Sequence, residues 1–436
     1  MRCVLLLLLA FIAPECTADT TQHTFPQPLD HFAPSSSSGD LPQLYLVNDD
    51  YYIDGPVILY SVGERAVQDS DIVDSPVYEL ARQTRALVVV LELRFYGISQ
   101  PARADQLQFL SVEQMMADIY RFTMHANITG SQLGRRRWVL AGGSFAGSLA
   151  AWTRYAYPDL DAMVIASSAP MRLVDEYWGF DQIAEQRIPC APVLSQAVRS
   201  VDRLLDSGRT ARVHAVKRLF GLDPARSAED LAGALAARLA ELAQGPAGPD
   251  GDAAIDSFCG DLARGPPVEA LARAATATCG LAAGLAAGCP DGDERSWLWQ
   301  QCSQIGLWQT APHADDQAQF TRRLRSRHLS LAYYDSVCRR CFPDLRVRRR
   351  ELRAFADCAR RAYEDGVAHA VFTVGGVDPW RPLALDRALV LDGAAHAQDL
   401  QLPAAGEPPS VATARRRTML AVRRWLVAKP RASQIW

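Results

Sequence analysis

The sequence of 436 residues lacks several features that would place it in other protein classes. Neither charge is in large excess, since the formal net charge is −3 at pH 7, so nothing in the composition favours nucleic acid or an anionic membrane as a partner. After the N-terminus, no apolar run is long enough to cross a bilayer. We find no internal repeat, no cluster of metal ligands and no phosphate-binding glycine loop, and we therefore expect no cofactor.

The N-terminus has the pattern of a secretory signal peptide. Arg2 supplies one positive charge, residues 4–12 form an apolar run too short to span a membrane, and Cys16, Thr17 and Ala18 offer small residues at a cleavage point. The sequence therefore predicts a signal peptide over residues 1–18 and a mature chain in the secretory pathway. A glycosylation sequon at Asn127 agrees with this route.

Cysteine usage also indicates an oxidising compartment. Of ten cysteines, two lie in the signal peptide, and the other eight fall in one segment: Cys190, Cys259, Cys279, Cys289, Cys302, Cys338, Cys341 and Cys358. An even number in this setting predicts up to four disulfides, whose connectivity cannot be deduced from the sequence. We interpret the C-x-x-C spacing of Cys338 and Cys341 as part of this framework rather than as a zinc or redox motif.

The pattern of apolar segments predicts an α/β fold. Continuous apolar, β-branched runs indicate buried parallel strands at 56–60, 87–92, 137–141, 162–167, 370–374 and 389–392. Amphipathic segments at 75–84, 111–126 and 147–157 lie between them, and 410–427 predicts a closing C-terminal helix. Residues 172–365 instead have helical periodicity and hold all eight remaining cysteines. We therefore expect a discontinuous core (19–171 and 366–436) with a helical, disulfide-stapled insertion.

The stretch WVLAGGSFAGSLAAW, residues 138–152, predicts a strand, a sharp turn and a helix around Ser144. This is the context of a nucleophile elbow, although Ala146 stands where G-x-S-x-G has its last glycine. The N–H of Phe145 would be one oxyanion donor. The loop after the strand at 56–60 offers Gly63 as a second donor, and Glu64 beside it as a substrate contact. The alternative is that Ser144 is only a small residue at a helix entry.

A nucleophilic serine needs a base, and the base needs an orienting acid. Asp378 follows the predicted strand at 370–374, and His396 follows the one at 389–392, so the chain order is Ser, Asp, His. Strand C-terminal ends gather on one edge of an open α/β sheet, where sites form. Taken singly, Asp378 is also consistent with a turn cap and His396 with a loop histidine.

Several ordered stretches resemble the Pro-Xaa serine carboxypeptidase family, which includes prolyl carboxypeptidase, dipeptidyl peptidase II, thymus-specific serine protease and fungal prolyl peptidases. They are QPLDHF, GPVILYSVGE, LELRFYGISQP, FLSVEQMMADI, GGSFAG, ASSAP, QQCSQIGLWQT, GGVDPW and GAAHAQDL. The resemblance implies an α/β-hydrolase core with a helical cap and a Ser144, Asp378 and His396 triad. It also implies cleavage after proline, with Trp380 as a platform for the ring. We therefore expect a secreted or lysosomal/vacuolar serine exopeptidase that acts on short peptides.

Three departures from the family pattern leave alternatives open. Leu93 replaces a histidine, Val374 an asparagine, and Gln304 a glutamate in the cap signature. If that glutamate anchors a substrate's α-amino group, a neutral Gln304 weakens the dipeptidyl-peptidase interpretation. Another serine hydrolase (an esterase or endopeptidase) and a catalytically silent peptide-binding protein remain alternatives. We expect peptides with proline near one end as partners, no nucleic acid or membrane, and either a monomer or a homodimer.

Overall fold

The computed structural model describes residues 20–33, 39–103, 105–128, 131–132, 136–276, 288–312, 322–345 and 349–428. The predicted signal peptide lies outside the described residues. So do Cys279 and Thr129, the last residue of the Asn127 sequon. None of the described helices is both long and apolar enough to cross a membrane.

An eight-stranded mixed sheet forms the centre of the fold, in the order β1-β2-β4-β3-β7-β8-β9-β10. Its strands are β1 (Thr21–Pro28), β2 (Asp40–Asn48), β3 (Val57–Ser61), β4 (Leu87–Leu91), β7 (Trp138–Gly143), β8 (Ala162–Ser167), β9 (Ala370–Gly375) and β10 (Leu389–Leu391). Six neighbouring strands are parallel to one another: β4, β3, β7, β8, β9 and β10. β1 and β2 pair antiparallel at one edge of the sheet. A separate two-stranded ladder joins β5 (Asn127–Ile128) and β6 (Ser131–Gln132).

Helices cover both faces of the sheet, as continuous apolar strands require. One face packs against α1 (Pro76–Thr84) and α13 (Pro409–Val427), which contribute Leu80 and Trp425 to its core. The opposite face packs against α2 (Val112–His125) and α3 (Ser144–Ala156), with Phe122 and Trp152 fully buried. The arrangement is an α/β-hydrolase fold, and the predicted fold class is confirmed.

A helical segment is inserted between β8 and β9. Its helices are α4 (Phe180–Arg187), α5 (Ala191–Leu205), α6 (Thr210–Leu219), α7 (Ala228–Gln244), α8 (Pro249–Leu262), α9 (Pro267–Thr276), α10 (Gly292–Gln300), α11 (Leu331–Cys341) and α12 (Arg349–Asp365). A single π-helical turn, Gln301–Ile305, follows α10. We call this segment the helical insertion.

Three disulfides cross-link the helical insertion. They join Cys190 to Cys259, Cys289 to Cys341 and Cys302 to Cys338. The two cysteines of the C-x-x-C motif therefore pair with different partners rather than forming a redox pair with each other. Cys358, on α12, is a half-buried free thiol.

Candidate active site

Ser144 lies at a sharp turn between a central strand and a helix. It directly follows β7, begins α3, and has a backbone φ of +54°, a left-handed conformation that costs a residue other than glycine free energy. A Cβ on Gly142 would lie 2.6 Å from the backbone carbon of Ala146, so strand and helix can approach this closely only without that side chain. The turn thus places a partly buried serine at the carboxyl edge of the sheet.

Asp378 lies in the turn after β9 with its side chain fully buried. Its Oδ1 accepts a hydrogen bond from the N–H of Trp380 at 2.9 Å. This bond is the turn-capping role that the sequence left as an alternative. The same carboxylate also faces His396, so the capping bond fixes the orientation of the acid.

His396 lies in the loop after β10 and brings its ring against this carboxylate. Its Nδ1 is 3.0 Å from both Oδ1 and Oδ2 of Asp378, and its side chain is 14% exposed. An ionised carboxylate can only accept a hydrogen bond, so Nδ1 donates and the neutral ring keeps Nε2 free to accept a proton. This is the orientation that a general base requires.

The surroundings of His396 favour its protonated form. Burial alone would lower the pKa of His396, but the charge of Asp378, its hydrogen bond and the charge of Glu64 outweigh burial, and the pKa is raised above the usual 6.5. Burial in turn raises the pKa of Glu64 to about 7, against the opposing effects of its backbone hydrogen bond and of His396. The charges of Glu64 and His396 therefore act on each other's ionisation.

The predicted oxyanion donors lie beside Ser144. Phe145 is the second residue of α3, where the N–H has no acceptor inside the helix. Ser61 at the end of β3 pairs with Gly142 of β7, so the loop holding Gly63 leaves the sheet next to the elbow. Gly63 has a φ of +87°, and its N–H lies 3.4 Å from Ser61 Oγ, a long and weak bond.

Trp380 is half-buried where the Asp378 turn meets the helical insertion. Its ring stacks on Tyr177 with centroids 5.4 Å apart and meets Phe180 edge-on at 5.6 Å. Its Nε1 donates to Oε1 of Gln244 at 2.6 Å. Trp380 thus lies next to the acid but takes part in packing between core and insertion, and its role as a proline platform stays a prediction.

Gln304 lies in the π-helical turn and contacts the first two residues of α2. Its Oε1 accepts from the N–H of Val112 at 2.7 Å, and its Nε2 donates to Glu113 at 2.6 Å. Both ends of the amide are therefore used in joining the insertion to α2. Substrate binding by Gln304 stays a prediction, as does glycosylation at Asn127, which is exposed in β5.

Sequence reasoning did not assign a role to Asp399, which anchors the histidine loop. Its buried carboxylate accepts from Ser167 Oγ at the end of β8 and from Thr373 Oγ1 of β9 at 2.7 Å. Burial raises the pKa of Asp399, although these two bonds partly oppose the shift. A carboxylate three residues after a candidate catalytic histidine is the signal that could have suggested an anchor. Among the described residues, no group of His, Cys, Asp or Glu side chains is arranged to hold a metal ion.

Comparison with known proteins gives a match over most of the chain. The model of the family described as serine carboxypeptidase S28 matches residues 27–245 and 274–418. Human thymus-specific serine protease is 27% identical over 435 residues, which span 88% of this chain and 82% of that protein. A probable extracellular serine carboxypeptidase of Arthroderma benhamiae is 26% identical over 434 residues, spanning 82% of this chain and 58% of that protein.

Solved structures give a more distant likeness. A haloalkane dehalogenase loop variant from Bradyrhizobium elkanii aligns with a TM-score of 0.38 at 12% identity, over 93% of this chain and 97% of that one.

Proposed function

The chain belongs to the serine carboxypeptidase S28 family and is a serine-type peptidase, and on that premise we propose that it cleaves peptide bonds after proline with Ser144, His396 and Asp378. The observation that carries the catalytic part of this proposal is the pair of 3.0 Å distances from His396 Nδ1 to the Asp378 carboxylate. It is joined by the left-handed turn at Ser144. We further propose that the enzyme is secreted or lysosomal/vacuolar and acts on short peptides.

In this reaction, His396 Nε2 takes the proton of Ser144 Oγ as the oxygen attacks the scissile carbonyl. The N–H groups of Phe145 and Gly63 stabilise the oxyanion, and the dipole of α3 adds to their effect. His396 then delivers the proton to the leaving amine, which leaves an acyl-enzyme. Water activated by the same histidine hydrolyses the ester and frees Ser144.

A preference for proline rests on shape rather than on hydrogen bonds. The proline ring fixes φ and removes the backbone N–H, so a site that reads an extended strand through N–H groups accepts it poorly. The indole of Trp380 follows the catalytic acid by two residues and offers a flat apolar surface for the ring. The stacking of Tyr177 on this indole fixes its plane.

Two otherwise identical peptides test this proposal, one with proline and one with alanine before the scissile bond. We expect kcat/KM to favour the proline peptide by about 10-fold or more, since a shaped apolar pocket discriminates to this degree. Trp380→Leu should reduce the preference more than Trp380→Phe, which keeps an aromatic face. Equal cleavage of both peptides would favour the broader endopeptidase. An ester substrate assayed beside them, if it alone is cleaved, would favour the esterase.

A further inference from the structure

The connection between α7 and α8 contacts both loops that carry the candidate acid and base. We call residues 244–248 the docking turn. Gln244 accepts from Trp380 Nε1 at 2.6 Å, and the backbone of Ala247 bonds to the side chain of Gln398. Trp380 lies in the Asp378 turn and Gln398 in the His396 loop. One short turn of the helical insertion therefore holds two core loops that are separated along the chain.

The amide of Gln398 links the docking turn to the backbone next to the histidine. Its Oε1 accepts from the N–H of Ala395 at 2.9 Å and from the N–H of Ala247 at 3.2 Å, and its Nε2 donates to the carbonyl of Ala247 at 2.5 Å. The Gln398 residue is only 3% exposed. A buried amide that loses its partners carries a desolvation cost, so this loop conformation depends on the docking turn.

The residues on both sides of His396 are fixed by hydrogen bonds to side chains. Ala395 N–H is held by Gln398, and Ala397 N–H donates to Ser168 Oγ at 2.8 Å. Ala397 has a φ of +47°, so its backbone conformation needs such contacts to persist. The first of these two contacts depends on the insertion, whereas the second lies within the core.

On the acid side, the chain of contacts is equally short. The docking turn accepts from the Trp380 indole, and the backbone N–H of the same residue donates to Asp378 Oδ1 at 2.9 Å. A shift of the docking turn would therefore change the position of the Asp378 carboxylate relative to the His396 ring. Displacements of about 1 Å in a catalytic constellation can cost as much as about 100-fold in rate.

The docking turn is itself held from behind. Arg187, the last residue of α4, donates hydrogen bonds to three carbonyls. Two belong to the docking turn, Pro246 O at 2.7 Å and Gly245 O, and the third is Ala243 O just before it, at 3.0 Å. A Cβ on Gly251 would lie 1.8 Å from Pro246 O, so the first turn of α8 closes against the same peptide. None of these contacts is a hydrogen bond to a catalytic loop, although the charge of Arg187 also acts on Asp378.

We propose that the docking turn is a positioning element of the catalytic site, and that Gln398 and Gln244 are the positioning residues through which the insertion keeps Asp378 and His396 in register. The insertion then affects the rate of the chemical step. This inference rests on the proposed function, because it concerns the geometry of the proposed triad.

The test compares Gln398→Ala with Gln401→Ala, an exposed glutamine three residues away. Enzyme concentrations are set by titrating Ser144 with a fluorophosphonate probe, so that misfolded protein does not enter kcat. We expect Gln398→Ala to lower kcat by about 10-fold with KM within about 2-fold of wild type, which is the pattern of an interaction that acts on the transition state. The acidic limb of its pH profile should move to lower pH, because Asp378 raises the pKa of His396 less when misaligned. Gln401→Ala should match wild type.

A second pair of variants moves the docking turn from its far side. Arg187→Lys keeps the positive charge but cannot bond three carbonyls, so we expect it to lower kcat with the same shift of the acidic limb. Arg187→Ala should lower kcat further, but it also removes a charge that acts on Asp378, so the pH profile is compared only for Arg187→Lys. If Gln398→Ala does not fold, this pair carries the test.

The outcomes separate the two proposals. Suppose that Ser144→Ala abolishes hydrolysis, whereas Gln398→Ala and Arg187→Lys change neither kcat nor the pH profile. This result would overturn the positioning role and leave the proposed function standing. A wild type that shows no Ser144-dependent hydrolysis would overturn both. A lower melting temperature with unchanged kcat per titrated site would assign the turn to stability alone and would also overturn the inference.

Discussion

His396 is held at three points, and each leaves its outer nitrogen free. Its ring donates to Asp378, and the N–H groups of the residues before and after it bond to Gln398 and Ser168. A base fixed in this way needs little reorganisation when it accepts a proton. The proposed chemistry therefore depends on the carboxylate of Asp378, which accepts the hydrogen bond from Nδ1.

Replacing that acceptor tests its role. Asp378→Asn keeps the size of the side chain but presents an amide that can bond the wrong tautomer of His396, and we expect kcat to fall by about 10⁴-fold. Asp392→Asn, at an exposed acid near the same loop, should leave kcat unchanged. Both are measured by steady-state kinetics at fixed pH. A loss of 10-fold or less in the first variant, that is about 1.4 kcal/mol, would contradict the role of Asp378.

The raised pKa of His396 predicts how activity depends on pH. Only the neutral ring can accept the serine proton, so kcat/KM should fall as pH drops through a midpoint above 6.5. The effect on stability has the opposite sign. Because the pKa is raised in the folded state, this residue's stabilising contribution is complete below its unfolded pKa and is lost as pH rises through the folded one. A kcat/KM midpoint below 6.5 in the free enzyme would refute the prediction.

Glu64 should contribute to that midpoint. Its negative charge is one of the causes that raise the pKa of His396, so Glu64→Gln should move the acidic limb of kcat/KM to lower pH. Glu79→Gln, at an exposed glutamate on α1, is the matched control and should not move it. An unchanged or higher midpoint in Glu64→Gln would show that the two groups are not coupled.

The placement of individual residues was predictable where it follows from chain order, and their catalytic roles stay predictions. Ser144, Asp378 and His396 come in a fixed sequence after strands, and that order was visible without the structure. The partners of Trp380 and Gln304 were not, because they lie 136 and 191 residues away along the chain. Contacts of this kind depend on how the insertion docks, which no local pattern encodes.

At the scale of elements, the elbow joins β7 and α3 through the smallest residues in the site. Besides Gly142, the elbow needs Gly147, where a Cβ would lie 2.8 Å from the carbonyl oxygen of Gly142. Ala146 lies between them and is buried. The elbow therefore tolerates alanine at position 146, where the side chain has room, but not at the two positions where backbones touch.

A pair of glycine substitutions tests this packing. Gly142→Ala places a methyl group 2.6 Å from the backbone of Ala146, so we expect a loss of about 1–3 kcal/mol in the free energy of unfolding. Gly260→Ala, in α8 with no atom within 4 Å of the new Cβ, should instead gain about 0.4–1 kcal/mol. Urea unfolding followed by circular dichroism measures both. Equal stability of the two variants would contradict the account of the elbow.

Periodicity predicted the parallel strands well and the two antiparallel strands poorly. Each of the six predicted strands matches an observed one to within about two residues, since strands buried on both faces are continuously apolar. β1 and β2 were missed: β1 is a mostly exposed edge strand that contains Pro26 and Pro28, a composition that argues against a strand. The third predicted helix began at 147 rather than 144, because small residues carry no periodic signal.

For the whole molecule, the insertion must stay attached to the core in a fixed position. Its disulfides link helices that are distant in the chain, and that between Cys302 and Cys338 ties the π-helical turn to α11. The same turn bonds α2 of the core through Gln304. Loss of this disulfide should therefore loosen the insertion where it meets the core.

A double variant tests this attachment. Cys302→Ala with Cys338→Ala opens a loop with a sequence separation of 36 residues, and chain entropy predicts a loss of about 4 kcal/mol in the free energy of unfolding. Cys358→Ala removes a free thiol and should change this free energy by much less. Denaturant unfolding under non-reducing conditions compares them. A double variant as stable as the single one would show that this disulfide does not stabilise the molecule.

The number of disulfides was bounded by the sequence, but their pairing was not. Four pairs were the upper limit, and three are seen among the described residues. Cys338 and Cys341, three residues apart in the chain, each pair with a partner at least 36 residues away. Connectivity follows from the packing of the helices, which the sequence does not reveal.

Product mapping by mass spectrometry tests the central claim most directly. The mature protein and its Ser144→Ala variant are incubated with peptides that carry proline at each position in turn, with free and with blocked ends. We predict cleavage after proline by the wild type alone, and the bond chosen identifies a carboxypeptidase or a dipeptidyl peptidase. Cleavage that ignores proline, or that persists in Ser144→Ala, would contradict the account, as would folded wild type that cleaves no peptide at any pH.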